Sequence, residues 1–250
     1  MRKVLTVLQV ILIIICIAAS AVLAYLHFQE QDSIAMYDEC RLVYRTISKD
    51  TPQESEAKED HPADSSGIDF GALNAVNQDV IGWITIPDTN IDYPIVQGTN
   101  NSHYLNYAYN GKQNWMGSIF MDYRNEPDFS DYNTVIYGHY LSAKHTMFSQ
   151  LNNYLEEDFW NDHKQLVIDC EDGSRYTYTI FAVYMTGADN IAFNPDLDEN
   201  SFSGFLQFAC QNARYDTGTE VNTDNQVVTL VCCYAKNFNK RVVVQGIRIS

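Results

Sequence analysis

A thiol, a guanidinium and an imidazole are spaced in this sequence so that they can do covalent chemistry together. In the C-terminal run from Gln226 to Val244, two β-branched segments flank a short polar connection, which predicts a strand, a loop and a second strand. Cys233 closes the first strand and Arg241 opens the second. Antiparallel pairing would set their side chains side by side at one end of a sheet. A fixed positive charge beside a thiol favours thiolate and can hold a developing oxyanion. The acid–base partner is expected at His139, which ends the strand-like run Asn133-Thr134-Val135-Ile136-Tyr137-Gly138-His139, with Gly138 permitting a sharp exit. Alternation along a strand sends Cys232 to the face opposite Cys233, so it is read as a packing residue.

The elements that must position these groups begin with an anchor. Arg2 and Lys3 precede an apolar run from Val4 to Leu26, long enough to span a bilayer and longer than the apolar part of a cleaved signal peptide. Residues 1–26 are therefore expected to be a single-pass transmembrane signal-anchor in the cell membrane. The basic residues put the N-terminus in the cytoplasm and the rest outside. Residues 27–67 are expected to hold a short amphipathic helix (Ser33–Ile47) and then an acidic, Ser- and Pro-containing linker without periodicity. Residues 68–250 are the expected catalytic domain. A helix from Phe70 through Val80 precedes strands at Trp83–Ile86, Tyr93–Val96, Ser118–Met121 and Thr134–Tyr137, with Met147–Trp160 helical. A hairpin follows at Leu166–Cys170 and Arg175–Tyr184, then a helix over Ser201–Ala213 and the nucleophile strand. About eight strands at short intervals, with peripheral helices, predict a mainly β chain closed into a barrel.

Composition narrows the partners. With 32 acidic against 16 basic side chains and a formal charge of −16, the chain lacks a basic surface for phosphates, which argues against nucleic acid. Six scattered cysteines do not make a disulfide scaffold, and Cys16, Cys40, Cys170 and Cys210 are read as small buried hydrophobes. No Cys-x-x-Cys or His-x-x-x-His spacing occurs, so no metal site and no other cofactor is expected. The remaining histidines, His27, His61, His103, His145 and His163, fall in loop, linker or membrane-flanking contexts.

Taken together the motifs resemble the sortases, cysteine transpeptidases of the Gram-positive cell wall. The family pattern Thr-Leu-x-Thr-Cys, followed by Arg, is matched by Thr229-Leu230-Val231-Cys232-Cys233 and Arg241. Thr229-Leu230 fixes the register, so Cys233 takes the nucleophile position and Cys232 stands where the family has Thr. Gly82-Trp83-Ile84-Thr85-Ile86-Pro87, Ile91-Asp92-Tyr93-Pro94-Ile95-Val96-Gln97, Gly117-Ser118-Ile119-Phe120-Met121-Asp122 and Tyr137-Gly138-His139 look like class B, as does the helix before the nucleophile strand. The resemblance runs from about Phe70 to the C-terminus.

The resemblance implies an eight-stranded sortase-type β-barrel and a thioester acyl-enzyme on Cys233. His139 would serve the leaving and incoming amines, and Arg241 with the Tyr234 N–H would hold the oxyanion. It implies sorting-signal-bearing secreted proteins as donors, and an amino group of peptidoglycan or its lipid-linked precursor as acceptor. Asn101, Leu105 and Tyr137 match family positions near the substrate cleft. Two other readings use the same residues: a cysteine peptidase that hydrolyses the acyl-enzyme, and an inactive membrane-tethered binding module. An L,D-transpeptidase is disfavoured, because its Ser-x-Gly-Cys signature is absent.

Overall fold

The computed structural model describes residues 2–45, 67–141 and 146–250. They fall into two compact units, Met1–Cys40 and Arg41–Ser250. Helix α1 (Arg2–Tyr44) is continuous, where a separate helix at Ser33–Ile47 was expected. No Pro or Gly occurs between Arg2 and Tyr44 to interrupt it. An 18-residue window within Thr6–Tyr44 reaches a mean hydropathy of 2.9, long and apolar enough to cross a membrane. Residues 46–66, which include most of the expected linker, lie outside the described residues. The chain on either side of that segment is joined by an antiparallel bridge between Arg45 and Ile68 and by a bond from the Asp69 N–H to the Tyr44 carbonyl (2.8 Å).

The second unit is built on a closed β-barrel. Its strands are β1 (Val80–Thr85), β2 (Asp92–Val96), β3 (Ile119–Met121), β4 (Asn133–Tyr137), β7 (Gln165–Cys170), β8 (Arg175–Thr186), β9 (Val227–Tyr234) and β10 (Asn237–Arg248). Their order around the barrel is β1-β2-β3-β4-β9-β10-β8-β7. The β2–β3 and β4–β9 pairs are parallel and the rest antiparallel. A two-stranded ribbon, β5 (Tyr140–Leu141) with β6 (Thr146–Met147), stands outside it and was not expected. The β-branched runs of β9 and β10 suit a pleated, buried surface, and Val228, Leu230, Val242, Val243 and Val244 have no exposed area (0%).

Two expected helices are shorter than their apolar spacing suggested. Helix α2 (Phe70–Val76) is capped by Asp69, whose carboxylate accepts from the Ala72 N–H at 2.8 Å. It stops at Val76 because Asn77 is extended (φ −154°, ψ 116°) and its side chain accepts from the Asp79 N–H. Val80 is thus a strand residue and not the last helical one. The stretch Met147–Trp160 is likewise not one helix. Met147 lies in the left-handed region (φ 53°), a 3-10 helix covers Ser149–Leu155, and α3 (Glu157–Asp162) starts after an extended Glu156.

Helix α4 (Glu199–Asn212) lies between the sixth and seventh barrel strands and begins with a reciprocal cap between Asp198 and Ser201. Its apolar face, Phe202, Phe205, Leu206 and Ala209, is buried in one cluster with Phe181, Tyr184, Val243 and Ile247. Cys210 falls on the outer side of that face and is exposed, not buried as its apolar neighbours suggested.

Gly138 is required for closeness. A Cβ there would stand 2.6 Å from Ile119 Cδ1 and 2.7 Å from the Phe148 ring. Its φ is not in the left-handed region that would favour glycine in a sharp turn, so packing is what excludes a side chain. Gly138→Ala is expected to destabilise the domain by about 1–3 kcal/mol through overpacking. Gly204→Ala, on the open side of α4 with nothing within 4 Å, should stabilise it by about 0.5–1 kcal/mol. Denaturant melts of the two variants check both signs; equal midpoints would remove the packing argument.

Candidate active site

Three adjacent strands deliver the three candidate groups. In the parallel β4–β9 pair Tyr137 is opposite Val231, and the Gly138 N–H continues the ladder by donating to the Val231 carbonyl at 3.1 Å. His139 follows one residue beyond that bond, and Cys233 two residues beyond Val231. In the antiparallel β9–β10 pair Cys233 is directly opposite Arg241. That strand begins earlier than expected, at Asn237, and the pairing is irregular between Asn237 and Arg241. Cys233, His139, Arg241, Asn101, Leu105 and Tyr137 all line one cleft of about 670 Å³.

The two adjacent thiols differ in environment. Cys232 is 2% exposed and Cys233 half-buried. Burial pushes the Cys232 thiol well above its ordinary range, reinforced by Cys233 and opposed by Arg241 and the Asn152 amide. Cys232 therefore stays a protonated thiol. Arg241 donates from Nη1 to the carbonyls of Phe238 (2.7 Å) and Lys240 (3.2 Å), so its guanidinium is steadied by carbonyls at the start of its own strand. His139 Nε2 lies 2.8 Å from the Leu105 carbonyl. A carbonyl only accepts, so the proton of that bond is on Nε2. Leu105 thus meets His139 through its backbone.

Asn101 and Tyr137 converge on a residue not singled out for the site, Asp122. The Asn101 amide donates to Asp122 Oδ2 at 2.8 Å and the Tyr137 hydroxyl at 3.0 Å. Arg124 adds a fork, Nε to Oδ1 and Nη2 to Oδ2, both at 2.9 Å. Burial alone would raise the Asp122 pKa. The Arg124 side chain and backbone N–H, then Asn101, outweigh it and hold the carboxyl below the usual range. Burial first, and then Asp122, raise the Tyr137 phenol, which stays protonated and donates.

The cleft is also lined by Asp189, Asn190, Phe193 and Asn194, from the connection between β8 and α4. Asn133 in the barrel core donates to the Ala192 (3.1 Å) and Asn194 (2.9 Å) carbonyls, and Arg124 Nη2 to the Phe193 carbonyl (3.0 Å). Asn133 Oδ1 in turn accepts from the Thr229 hydroxyl at 2.6 Å, Thr229 Oγ1 accepts from Gln245 Nε2, and Gln245 Oε1 accepts from the Tyr184 hydroxyl. Arg124 carries a weak sequence signal, since it stands two residues after the class B-like segment Gly117–Asp122. The β8–α4 loop had none.

Comparison with known proteins places this chain in a family. The sortase domain matches residues 84–249. Sortase B of Listeria monocytogenes is 33% identical over 223 residues, covering 88% of this chain and 86% of that one. Sortase B of Bacillus anthracis in complex with AAEK1 superposes with a TM-score of 0.74 at 31% identity, covering 90% of this chain and 99% of that one. A Staphylococcus aureus sortase B–substrate complex gives 0.67 at 31% identity, over 72% and 84%. The chain belongs to the sortase family. Within that family it is of class B, and it is a cysteine transpeptidase of the cell wall.

The carboxylate hub carries a pH signature. A carboxyl whose folded pKa is depressed contributes stability above its unfolded pKa of about 3.9, and that contribution is lost as pH falls through the lower folded value. Asp122→Asn should therefore be less stable than the parent at pH 7, with the gap narrowing as pH drops below about 4. Thermal melts between pH 7 and pH 3 check this; a gap that widens in acid would mean Asp122 is not held as an anion.

Proposed function

We propose that this enzyme cleaves a C-terminal sorting signal on secreted proteins and joins the released carboxyl end to an amino group of peptidoglycan or its lipid-linked precursor. The observation that carries this reading is the meeting of Cys233, His139 and Arg241 at one end of the barrel, in a cleft with room for an extended peptide.

In this reading the Cys233 thiolate attacks the scissile carbonyl carbon and the C=O electron pair moves onto oxygen. Arg241 and the Tyr234 N–H bear that oxyanion. Collapse breaks the C–N bond as protonated His139 gives a proton to the leaving amine, and a thioester remains on Cys233. The incoming amine attacks the thioester, neutral His139 takes its proton, and the thiolate is released. A planar guanidinium steadied by carbonyls at the start of β10 supports the choice of Arg241 over the exposed Lys236 and Lys240.

Residues 1–26 act as a single-pass anchor with the N-terminus cytoplasmic, residues 27–67 as a spacer, and residues 68–250 as the extracellular catalytic domain. The apolar stretch of α1 and the basic Arg2-Lys3 pair support this orientation.

Incubating the protein with a panel of sorting peptides and an amine acceptor tests the reaction. Amide product is expected to exceed hydrolysis product, whereas hydrolysis alone would mark a peptidase. Cys233→Ala should abolish turnover, and Cys232→Thr should keep most of it. Arg241→Ala should lose about a hundredfold or more in kcat, with Arg241→Lys impaired and Lys236→Ala and Lys240→Ala near the parent. A trapped acyl group on Cys232, found by mass spectrometry, would reverse the assignment of the nucleophile.

A further inference from the structure

Asn152 brackets the nucleophile from outside the strand that carries it. It sits in the 3-10 helix Ser149–Leu155, which Leu151 and Tyr154, both at 0% exposure, fix in the core. The Tyr154 hydroxyl adds a bond to the His163 carbonyl at 2.9 Å. From that mount Asn152 Nδ2 donates to the Cys233 carbonyl at 3.1 Å and to Cys232 Sγ at 3.3 Å, and Oδ1 accepts from the Ala235 N–H at 2.8 Å. One side chain thus grips the backbone on both sides of Tyr234.

A trans peptide unit is planar, with its C=O and N–H pointing in opposite directions. No cis peptide occurs among the described residues. Holding the Cys233 carbonyl towards Asn152 therefore turns the Tyr234 N–H, the other end of the same peptide unit, away from Asn152. To flip that unit, the chain must break the bond at the Cys233 carbonyl against the restraint at Ala235. A buried sulfur at position 232 accepts the second Nδ2 hydrogen, which leaves the amide fully engaged.

We propose that Asn152 is a positioning residue for transpeptidation: by pinning the Cys233–Tyr234 peptide it presets the backbone N–H that receives the oxyanion. This rests on the proposed roles of Cys233 and Tyr234. Asn152 itself exchanges no proton and touches no reacting atom. Its contribution is to remove a rotation that would otherwise occur during the reaction, when a preorganised donor is worth most.

The test uses the full chain in detergent micelles, with a sorting peptide and amine pair that it turns over. Asn152→Ala is expected to lower kcat about tenfold to a hundredfold, a partial loss of one oxyanion donor, with KM within about twofold. Alkylation of Cys233 by iodoacetamide, which builds no oxyanion, should change by less than about twofold, whereas inhibition by the matching peptide aldehyde, which forms a tetrahedral oxyanion, should weaken in step with kcat. Asn152→Leu is close to Asn in volume, carries no charge and loses all three bonds, so it should behave like the alanine variant and serves if that one folds poorly. An unchanged kcat, or a loss matched by slower alkylation, overturns the proposal. A silent Asn152→Ala beside a crippled Arg241→Ala overturns the Asn152 role alone, while silence in both overturns the oxyanion reading beneath it.

Discussion

The parallel pairing of β4 with β9 is the constraint on which the site depends. Parallel neighbours cannot be joined by a tight turn and need a crossover connection, and here that connection contains the β5–β6 ribbon, the β7–β8 hairpin and α4. In exchange the carboxyl ends of both strands lie on one edge, where the ladder bond from Gly138 to Val231 is followed by His139 on one strand and Cys233 on the other, both lining the cleft. The antiparallel β10 then returns Arg241 to the same edge. The missing side chain at Gly138 lets Ile119 and Phe148 close over this junction.

Around that edge the protein uses side-chain amides and one carboxylate to fix backbone. Asn133 holds two carbonyls of the β8–α4 loop, Asn152 holds the end of β9, and Asp122 gathers Asn101, Tyr137 and Arg124. Buried polar groups of this kind are costly unless every donor and acceptor is met. The Tyr184–Gln245–Thr229–Asn133 chain meets that condition inside the barrel. The cleft walls are consequently loops tied to the core at several carbonyls.

The barrel, and the gathering of the candidate residues on one cleft, were legible because they rest on local patterns: β-branched runs, turn residues between them, and chemistry-bearing residues at strand ends. Six site candidates read from the sequence share one cleft. Two of the helix misreadings share one physical source, which is that apolar spacing does not by itself set a helix end. Val80 carries the spacing of α2, yet the turn at Asn77 to Asp79 hands it to β1. Phe148 to Trp160 carries a helical face, yet Met147 and Glu156 adopt backbone angles that split it. Asn152 was hidden inside that stretch, where nothing in its neighbours distinguishes an amide aimed at a strand from one aimed at water. Cys210 was misjudged for the complementary reason: its apolar neighbours occupy the inner face of α4 and leave it on the outer one.

The Asp122–Arg124 fork also bears on the surroundings in which the enzyme works. Asp122 has no exposed side-chain area, whereas Asp196, the second acid near Arg124 at 3.5 Å, is 67% exposed. Dissolved ions screen exposed pairs over a Debye length of about 8 Å at 0.15 M but reach a buried pair far less. Changes in ionic strength will thus loosen the outer contact to Asp196 while leaving the inner fork, and the cleft wall it supports, in place. The cleft is in this sense insulated from the salt content of the medium.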